Sequence, residues 1–244
     1  MDVVFIGTGD AFGAGGRRQA AILLRVSEGS LLLDCGMTTL TGLASLGVSR
    51  DSIGTIVISH FHADHFGGIP SFLLAAIHED RRQAPLTILG PPGAEDRVMT
   101  ASAALGHPFD PGAWPFPLSF LETREGVNVA AGPFRLRSFT THHLPDSSPH
   151  GWRVTDGSRT VVYTGDTGWF DRLPEQARGA DLFICECTLE APGFEYHLSL
   201  EELSSRRDRF ECGRIVLTHL GPGMAARRGG CRFETADDGL TLRI

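Results

Sequence analysis

The stretch TIVISHFHADHFGGIP, residues 55–70, constrains this chain more than any other. An apolar run of the kind that forms a buried strand, Thr55–Ile58, ends in Ser59. It passes at once into four ligand-type side chains, His60, His62, Asp64 and His65. In extended backbone, residues two apart point the same way, so His60 and His62 can face one metal ion. Asp64 and His65 follow at the strand-to-helix turn and can face a second. Imidazole and carboxylate donors suit zinc, manganese or iron. Gly67 and Gly68 are expected to let the chain turn sharply before a helix that starts at Ile69. A solvated polar loop has no reason to set four ligand-type residues in six positions directly behind an apolar strand.

A dinuclear centre needs more ligands, and three later segments each offer one. Each stands at or just after an expected strand. Thr140-Thr141-His142-His143 follows Phe134–Phe139, Asp166 sits in YTGDT after Thr160–Tyr163, and His219 sits in LTHLGP after Ile215–Leu217. Ligands at strand ends converge on one edge of a sheet, where open α/β sheets bind their ligands. A carboxylate such as Asp166 can bridge two cations about 3.5–4 Å apart.

Other short apolar runs recur at close spacing: Val3–Ile6, Ala21–Val26, Leu31–Leu33, Leu86–Leu89 and Leu182–Cys185. Helical patterns cover Thr38–Leu46, Ile69–His78, Ala94–Leu105 and Ser199–Phe210. Strands with intervening helices along the whole chain indicate an α/β layered fold. Residues 21–33 read as a hairpin with its turn at Ser27–Ser30, and Gly106–Pro117 is the best linker between domains. With 244 residues, one large domain or two small ones are both open.

Composition removes several functions. All 22 basic residues are Arg, so a P-loop lysine and a Schiff-base lysine are both excluded. A net charge of −7 argues against coating nucleic acid non-specifically. Cys35, Cys185, Cys187, Cys212 and Cys231 form no C-x-x-C pair and read as reduced thiols, which points to the cytoplasm. The opening MDVVFIGTG has no signal-peptide pattern, and no apolar stretch nears the roughly 20 residues of a membrane span. GTGDAFG is one residue too long for a dinucleotide fingerprint and leads into a strand rather than a helix. A tight turn ahead of a strand pair is the better reading.

The order H-x-H-x-D-H, then His, then Asp in TGDT, then His in TH resembles the metallo-β-lactamase superfamily. The opening GTG, the segment LLLDCG and the closing ADDGLTL are similar to it too, so the resemblance spans Val3 to Leu242. It implies a four-layer αβ/βα sandwich with a metal site at the rim between two sheets. It implies two divalent ions, zinc first, with manganese or iron as alternatives. His60, His62 and His143 would hold one, Asp64, His65 and His219 the other, and Asp166 would bridge. His143 is favoured over the adjacent His142. In similar proteins this His precedes an apolar-Pro segment leading to G-Y-R, which here reads His143-Leu-Pro and then Gly151-Trp152-Arg153, about two residues longer.

Glu186 in FICECT and His197 in HLS narrow the resemblance to the ribonuclease Z branch. There the Glu–His pair implies protonation of the leaving oxygen of a phosphodiester, with His197 and Glu186 catalytic beside Asp64. A His held by a carboxylate can donate a proton near neutral pH. Cys185 and Cys187, which flank Glu186, read as core residues. One departure stands out. Only 22 residues separate His143 from Asp166, with no room for the long tRNA-gripping arm of that branch. The expectation is a single-domain phosphodiesterase acting on a small phosphodiester or an RNA end; a homodimer is the assembly that the analogy suggests. Rival readings are a lactone, thioester or other ester hydrolase, a tRNA 3′-processing enzyme, and a metal-stabilised binding module without activity. Arg153 is open between a phosphate contact and a surface ion pair, and His150 can line the pocket.

Overall fold

The structure is a computed structural model that describes residues 1–227 and 232–244; Cys231 lies outside the described residues. The first half of the chain builds one sheet. Its strands are β1 (Asp2–Gly7), β2 (Ala21–Val26), β3 (Gly29–Leu33), β4 (Thr55–Val57), β5 (Leu86–Gly90) and β6 (Leu118–Glu122). Helices α1 (Thr39–Ser45), α2 (Ala63–Phe66), α3 (Ile69–His78) and α4 (Ala94–Ala104) alternate with them. The second half builds β7 (Asn128–Ala131), β8 (Phe134–Thr140), β9 (His150–Thr155), β10 (Thr160–Tyr163), β11 (Leu182–Glu186), β12 (Arg214–Thr218) and β13 (Glu234–Thr235). Helices α5 (Leu173–Ala177), α6 (Leu200–Ser205) and α7 (Pro222–Ala226) belong to this half, and β14 (Thr241–Arg243) returns to pair with β1. The sheet orders are β14-β1-β2-β3-β4-β5-β6 and β13-β12-β11-β10-β9-β8-β7.

Strand periodicity explains the layering. Alternate side chains of β1 leave on opposite faces. Val3 and Phe5 meet Trp152, Val161 and Ile184 of the second sheet, whereas Val4 and Ile6 pack with Leu43, Phe72 and Leu73 beneath the helices. The second sheet repeats this outward, with Val162, Phe183 and Leu217 packed with Leu173, Leu200, Leu203 and Met224. The central strands of both sheets are therefore buried on both faces, which is why they read as continuous apolar runs, whereas β6, β7 and β8 toward the far edges keep exposed residues. The result is the four-layer αβ/βα sandwich.

Strand direction creates the site. β10, β11 and β12 run parallel. β8 shares their direction because it pairs antiparallel with β9, which pairs antiparallel with β10. All four end on one edge. The end of β4 is stitched to that edge: the Trp152 indole N–H donates to the Ile58 carbonyl (3.1 Å), and the His150 N–H donates to the Ser59 carbonyl (3.0 Å).

Several local expectations change. Gly106–Pro117 is no linker: it is a loop laid on the first sheet, with Phe116 buried and the Phe109 and Trp114 rings 5.0 Å apart beside it. The helix expected over Ser199–Phe210 stops at Ser205 and continues as a 3-10 turn, Arg207–Arg209. Its start is as written in the sequence, a capping box between Ser199 and Glu202. The hairpin turn is only Ser27–Glu28, because Gly29 already pairs with Val26. Gly67 and Gly68 have ordinary right-handed dihedrals. Glycine is needed at 68 for another reason: a Cβ there would strike the backbone of Cys35 and Gly36.

Candidate metal centre

His60 and His62 leave the end of β4, and Asp64 and His65 sit on the single turn of α2. His143 follows β8, Asp166 follows β10, and His219 follows β12. His219 holds φ at +53°, a backbone conformation that only surrounding contacts sustain in a non-glycine residue. The seven side chains converge in two groups that share Asp166: His60, His62, His143 and Asp166, then Asp64, His65, His219 and Asp166.

In the first group the His62 Nδ1 lies 3.0 Å from His60 Nε2 and 3.2 Å from His143 Nε2. Asp166 Oδ2 lies 3.6 Å from His60 Nε2 and 3.8 Å from His143 Nε2. In the second group His65 Nε2 and His219 Nε2 stand 3.3 and 3.2 Å from Asp64 Oδ2, and 3.2 and 3.4 Å from Asp166 Oδ1. Tetrahedral ligands at about 2.0–2.1 Å from a metal lie about 3.3 Å from one another. Both groups have that spacing. His65 Nε2 and Asp166 Oδ1 are also buried without a hydrogen-bond partner although they face each other. Two orphaned donor atoms aimed into one space fit a shared cation.

The remaining ring nitrogens of His60, His65, His143 and His219 are engaged, which orients those imidazoles. His65 Nδ1 donates to Asp34 Oδ2 (2.7 Å), and His143 Nδ1 donates to the Tyr196 carbonyl (2.9 Å). His219 Nδ1 donates to the Thr188 hydroxyl (2.9 Å), which donates to Glu186 Oε2 (3.0 Å). His60 Nδ1 lies 3.0 Å from the Ser59 hydroxyl, which donates to Asp34 Oδ2 (2.8 Å).

Asp34 is the residue that sequence reasoning passed over. It is fully buried at the end of β3 and accepts from Ser59 N–H, the Ser59 hydroxyl, His65 and the Tyr163 hydroxyl. The signal was there: an apolar strand that ends in a lone carboxylate, LLLD, repeats the pattern that exposed His60. Burial and the adjacent Asp34 carboxylate push the Tyr163 phenol far up, so it stays a donor.

The two groups differ in charge. Burial lowers His60, His62 and His143 despite the opposing pull of Asp166. Burial also opposes charge on His65 and His219, but there the carboxylates override it. Asp166, Asp64 and Asp34 raise His65, and Asp166 and Asp64 raise His219. Asp64 and Asp166 are buried, yet neighbouring histidines hold both well below the usual carboxylate range.

Glu186 and His197 lie at the edge of the centre. His197 Nδ1 donates to Glu186 Oε1 (2.7 Å). Thr167 N–H, Thr188 N–H and the Thr188 hydroxyl also donate to Glu186, each at 3.0 Å. With four donors the carboxylate has no lone pair left for a metal, although Glu186, His197 and His219 lie close together. Burial opposes a proton on His197, but the Glu186 hydrogen bond and charge lift it to about 9. The His197 and His219 rings stack with centroids 5.5 Å apart.

His142 is exposed and turned away from both groups, and His150 lines a cavity beside it. Arg153 meets neither a phosphate site nor an acidic partner among the described residues. It donates to the carbonyls of Gln176 and Arg178. Cys185 and Cys187 are buried in the outer apolar layer of the second sheet.

The model of the family described as Anti-Pycsar protein Apyc1 matches residues 1–235. The chain belongs to that family. It is also 27% identical to a ribonuclease Z of Mycobacterium bovis over 271 residues, covering 98% of this chain and 96% of the relative. The metallo-β-lactamase-fold protein YhfI of Bacillus subtilis superposes with a TM-score of 0.79 at 25% identity, covering 99% of each chain. Human short-form tRNase Z gives a TM-score of 0.75 at 23% identity, covering 100% of this chain and 99% of its own. The protein is thus a ribonuclease Z-like member of the metallo-β-lactamase superfamily. It is a metal-dependent hydrolase of the phosphodiesterase type, with donor groups for two divalent ions. Among the described residues no helix is long and apolar enough to cross a membrane.

Proposed function

We propose that the chain is a single hydrolase domain that cleaves a small phosphodiester, with zinc as its metal. His60, His62 and His143 would hold one ion and Asp64, His65 and His219 the other, with Asp166 offering a carboxylate to both. The observation that carries the reading is the Glu186–His197 pair at the edge of the two donor groups, 2.7 Å from carboxylate to ring. Thioester hydrolysis gives that pair no task, because a thiolate leaves without a proton, whereas the alkoxide that departs from a phosphodiester needs one.

Two bound divalent ions supply a Lewis acid for the phosphoryl oxygens and a nucleophile at neutral pH. Asp64, buried and ionised, holds and orients the attacking water. His197 donates Nδ1–H to Glu186, which leaves Nε2 to give its proton to the departing oxygen. Glu186 keeps the ring turned and charged. The Thr188 hydroxyl joins Glu186, which holds His197, to His219, so the acid and one candidate metal ligand are aligned by one hydroxyl.

A small substrate is supported by the segment between His143 and Asp166. Its 22 residues are used up by a 3-10 turn and by β9 and β10, which lie in the sheet and project nothing. The thiols of Cys35, Cys185 and Cys212 are free, in keeping with the cytoplasm. The family's anti-Pycsar name comes to this chain as part of the same proposal. A second reading, tRNA 3′ processing, follows from the names of the ribonuclease Z relatives; a gel shift with tRNA at stated salt tests it.

The test is hydrolysis of a series of phosphodiesters by metal-loaded protein. With a poor leaving group, His197→Ala costs about 10²–10⁴-fold in kcat. With p-nitrophenolate, which hardly needs a proton, it costs far less. The wild type loses activity as pH rises through about 9, where His197 gives up its proton, and the variant lacks that limb. Equal losses for both leaving groups would refute the acid role; no phosphodiester turnover would move the assignment to esters and thioesters.

A further inference from the structure

The outer face of the second sheet is apolar at one end and basic at the other. Over β10, β11 and β12 it packs beneath α5, α6 and α7 through Val162, Phe183 and Leu217. On β9 and β8 the same face carries Arg153, Thr155, Arg135 and Arg137, while their chain neighbours Trp152, Val154, Phe134 and Leu136 enter the layer between the sheets. Pairing sets Arg137 directly opposite Arg153, and Arg135 opposite Thr155. Like charges opposite each other on one face destabilise a sheet. Burial, and after it the charge of Arg137, lower Arg153 from its ordinary range.

Folding does not account for this row. Charged residues protect the edge strand of a sheet from pairing, but the edge here is β7, Asn128–Ala131, which carries no charge. The chain has 29 acidic residues against 22 arginines, yet no acidic residue lines the cavity that Arg135, Arg137 and Arg153 form with Asn128 and Thr155. That cavity measures about 610 Å³, the size of a small-molecule site. Arg153 is fixed in it, because it donates to the Gln176 and Arg178 carbonyls at the end of α5 (3.2 and 3.1 Å). The exposed guanidinium groups of Arg135 and Arg137 have no partner among the described residues and keep their donors for a ligand. Arg137 and Arg153 also line an adjoining cavity with Arg172, Glu125 and Glu175. Glu125 is taken there by the Thr140 hydroxyl (2.8 Å) and by Arg172 (3.6 Å), so only Glu175 is left to offset the pair.

We infer that this face of β8 and β9 binds a small molecule carrying two or more phosphate groups, gripped by Arg135 and Arg137 with Arg153 as a fixed charge beside them. Guanidinium forks match phosphate oxygens two at a time. Several converging cations favour an anion with several charges over a single carboxylate. The site lies on the outer face of the sheet rather than at the strand ends that carry the seven donors, and it does not depend on the hydrolase reading.

The experiment is calorimetric titration of the metal-loaded chain with glucose 1,6-bisphosphate and with glucose 6-phosphate. Neither contains a phosphodiester, and they differ by one phosphate. The wild type binds the bisphosphate about tenfold more tightly, the worth of one added charge-assisted contact. The double variant Arg135→Ala, Arg137→Ala brings the ratio near one, and Arg137→Lys alone keeps part of it. Turnover of bis(p-nitrophenyl) phosphate stays at the wild-type level in each variant. A ratio near one in the wild type overturns the site. A ratio that the double variant leaves intact places the bisphosphate at the metal centre and overturns it too. Single-stranded RNA held by the same arginines, with the bisphosphate unbound, would replace the small ligand by a polynucleotide. No turnover in any of the proteins, with the ratio and its loss as expected, refutes the hydrolase reading alone.

Discussion

The two halves of the metal centre are built from one shared carboxylate, yet they differ in kind. The His60, His62 and His143 group is three imidazoles around Asp166, with His62 half-buried. The Asp64, His65 and His219 group is wholly buried and brings a second carboxylate of its own, with Asp34 behind His65. In the first group burial disfavours protons on the rings. In the second, carboxylates outweigh burial and keep protons on His65 and His219. A cation entering the first group would meet rings that burial disfavours protonating. One entering the second would compete with protons that the carboxylates favour there.

Removing the shared ligand tests the comparison most severely. Asp166→Ala takes a donor from both groups, so metal content falls from about two ions per chain to below one and phosphodiester turnover drops about 10³-fold or more. Elemental analysis beside a turnover assay reads both. Two ions retained in the variant would mean that the halves do not share Asp166. A milder change separates the halves. Asp34→Asn removes the charge that His65 meets directly and His60 only through Ser59, so affinity for one ion falls about 10–100-fold and for the other less. Biphasic chelator competition reads this, and an equal loss at both ions would place Asp34 behind the whole centre. The smallest effect is in protons. His65 and His219 are raised, so without metal they keep their protons to higher pH than the other three histidines and release more on binding; affinity at that half rises more steeply with pH. His60, His62 and His143 are lowered and already neutral, so affinity at the other half is flat near pH 7 and falls only in acid. Calorimetry in buffers of different ionisation enthalpy counts the protons.

The same contrast runs through what could be read from the chain. The donors are legible because each stands directly after an apolar run, and a polar ligand behind a buried strand has few other uses. Their supports were harder to see. Asp34, Ser59, Thr188 and Tyr163 are ordinary residues whose role depends on which strand end lies opposite. Strand β6 was missed because three of its five residues, Ser119, Leu121 and Glu122, are exposed, so it lacks the apolar signature of its neighbours. The two-residue β13 is held by pairing with β12 and has no local signal at all. Gly106–Pro117 reads as a linker because proline and glycine punctuate it. Only the packing of Phe109, Trp114 and Phe116 shows that it belongs to the first sheet's helical layer.

The sequence by itself determined the alternation of strands and helices and marked the seven side chains that converge at the rim and the Glu186–His197 pair beside them, because periodicity and ligand chemistry are local properties. Tertiary structure decided the rest. It chose His143 over His142, since the direction of the chain beyond β8 turns one ring inward and the other out. It divided the donors into a neutral half and a charged half, because burial and neighbouring carboxylates belong to the assembled rim. It also set Arg137 directly opposite Arg153, because the register of β8 on β9 is fixed only when the two strands pair.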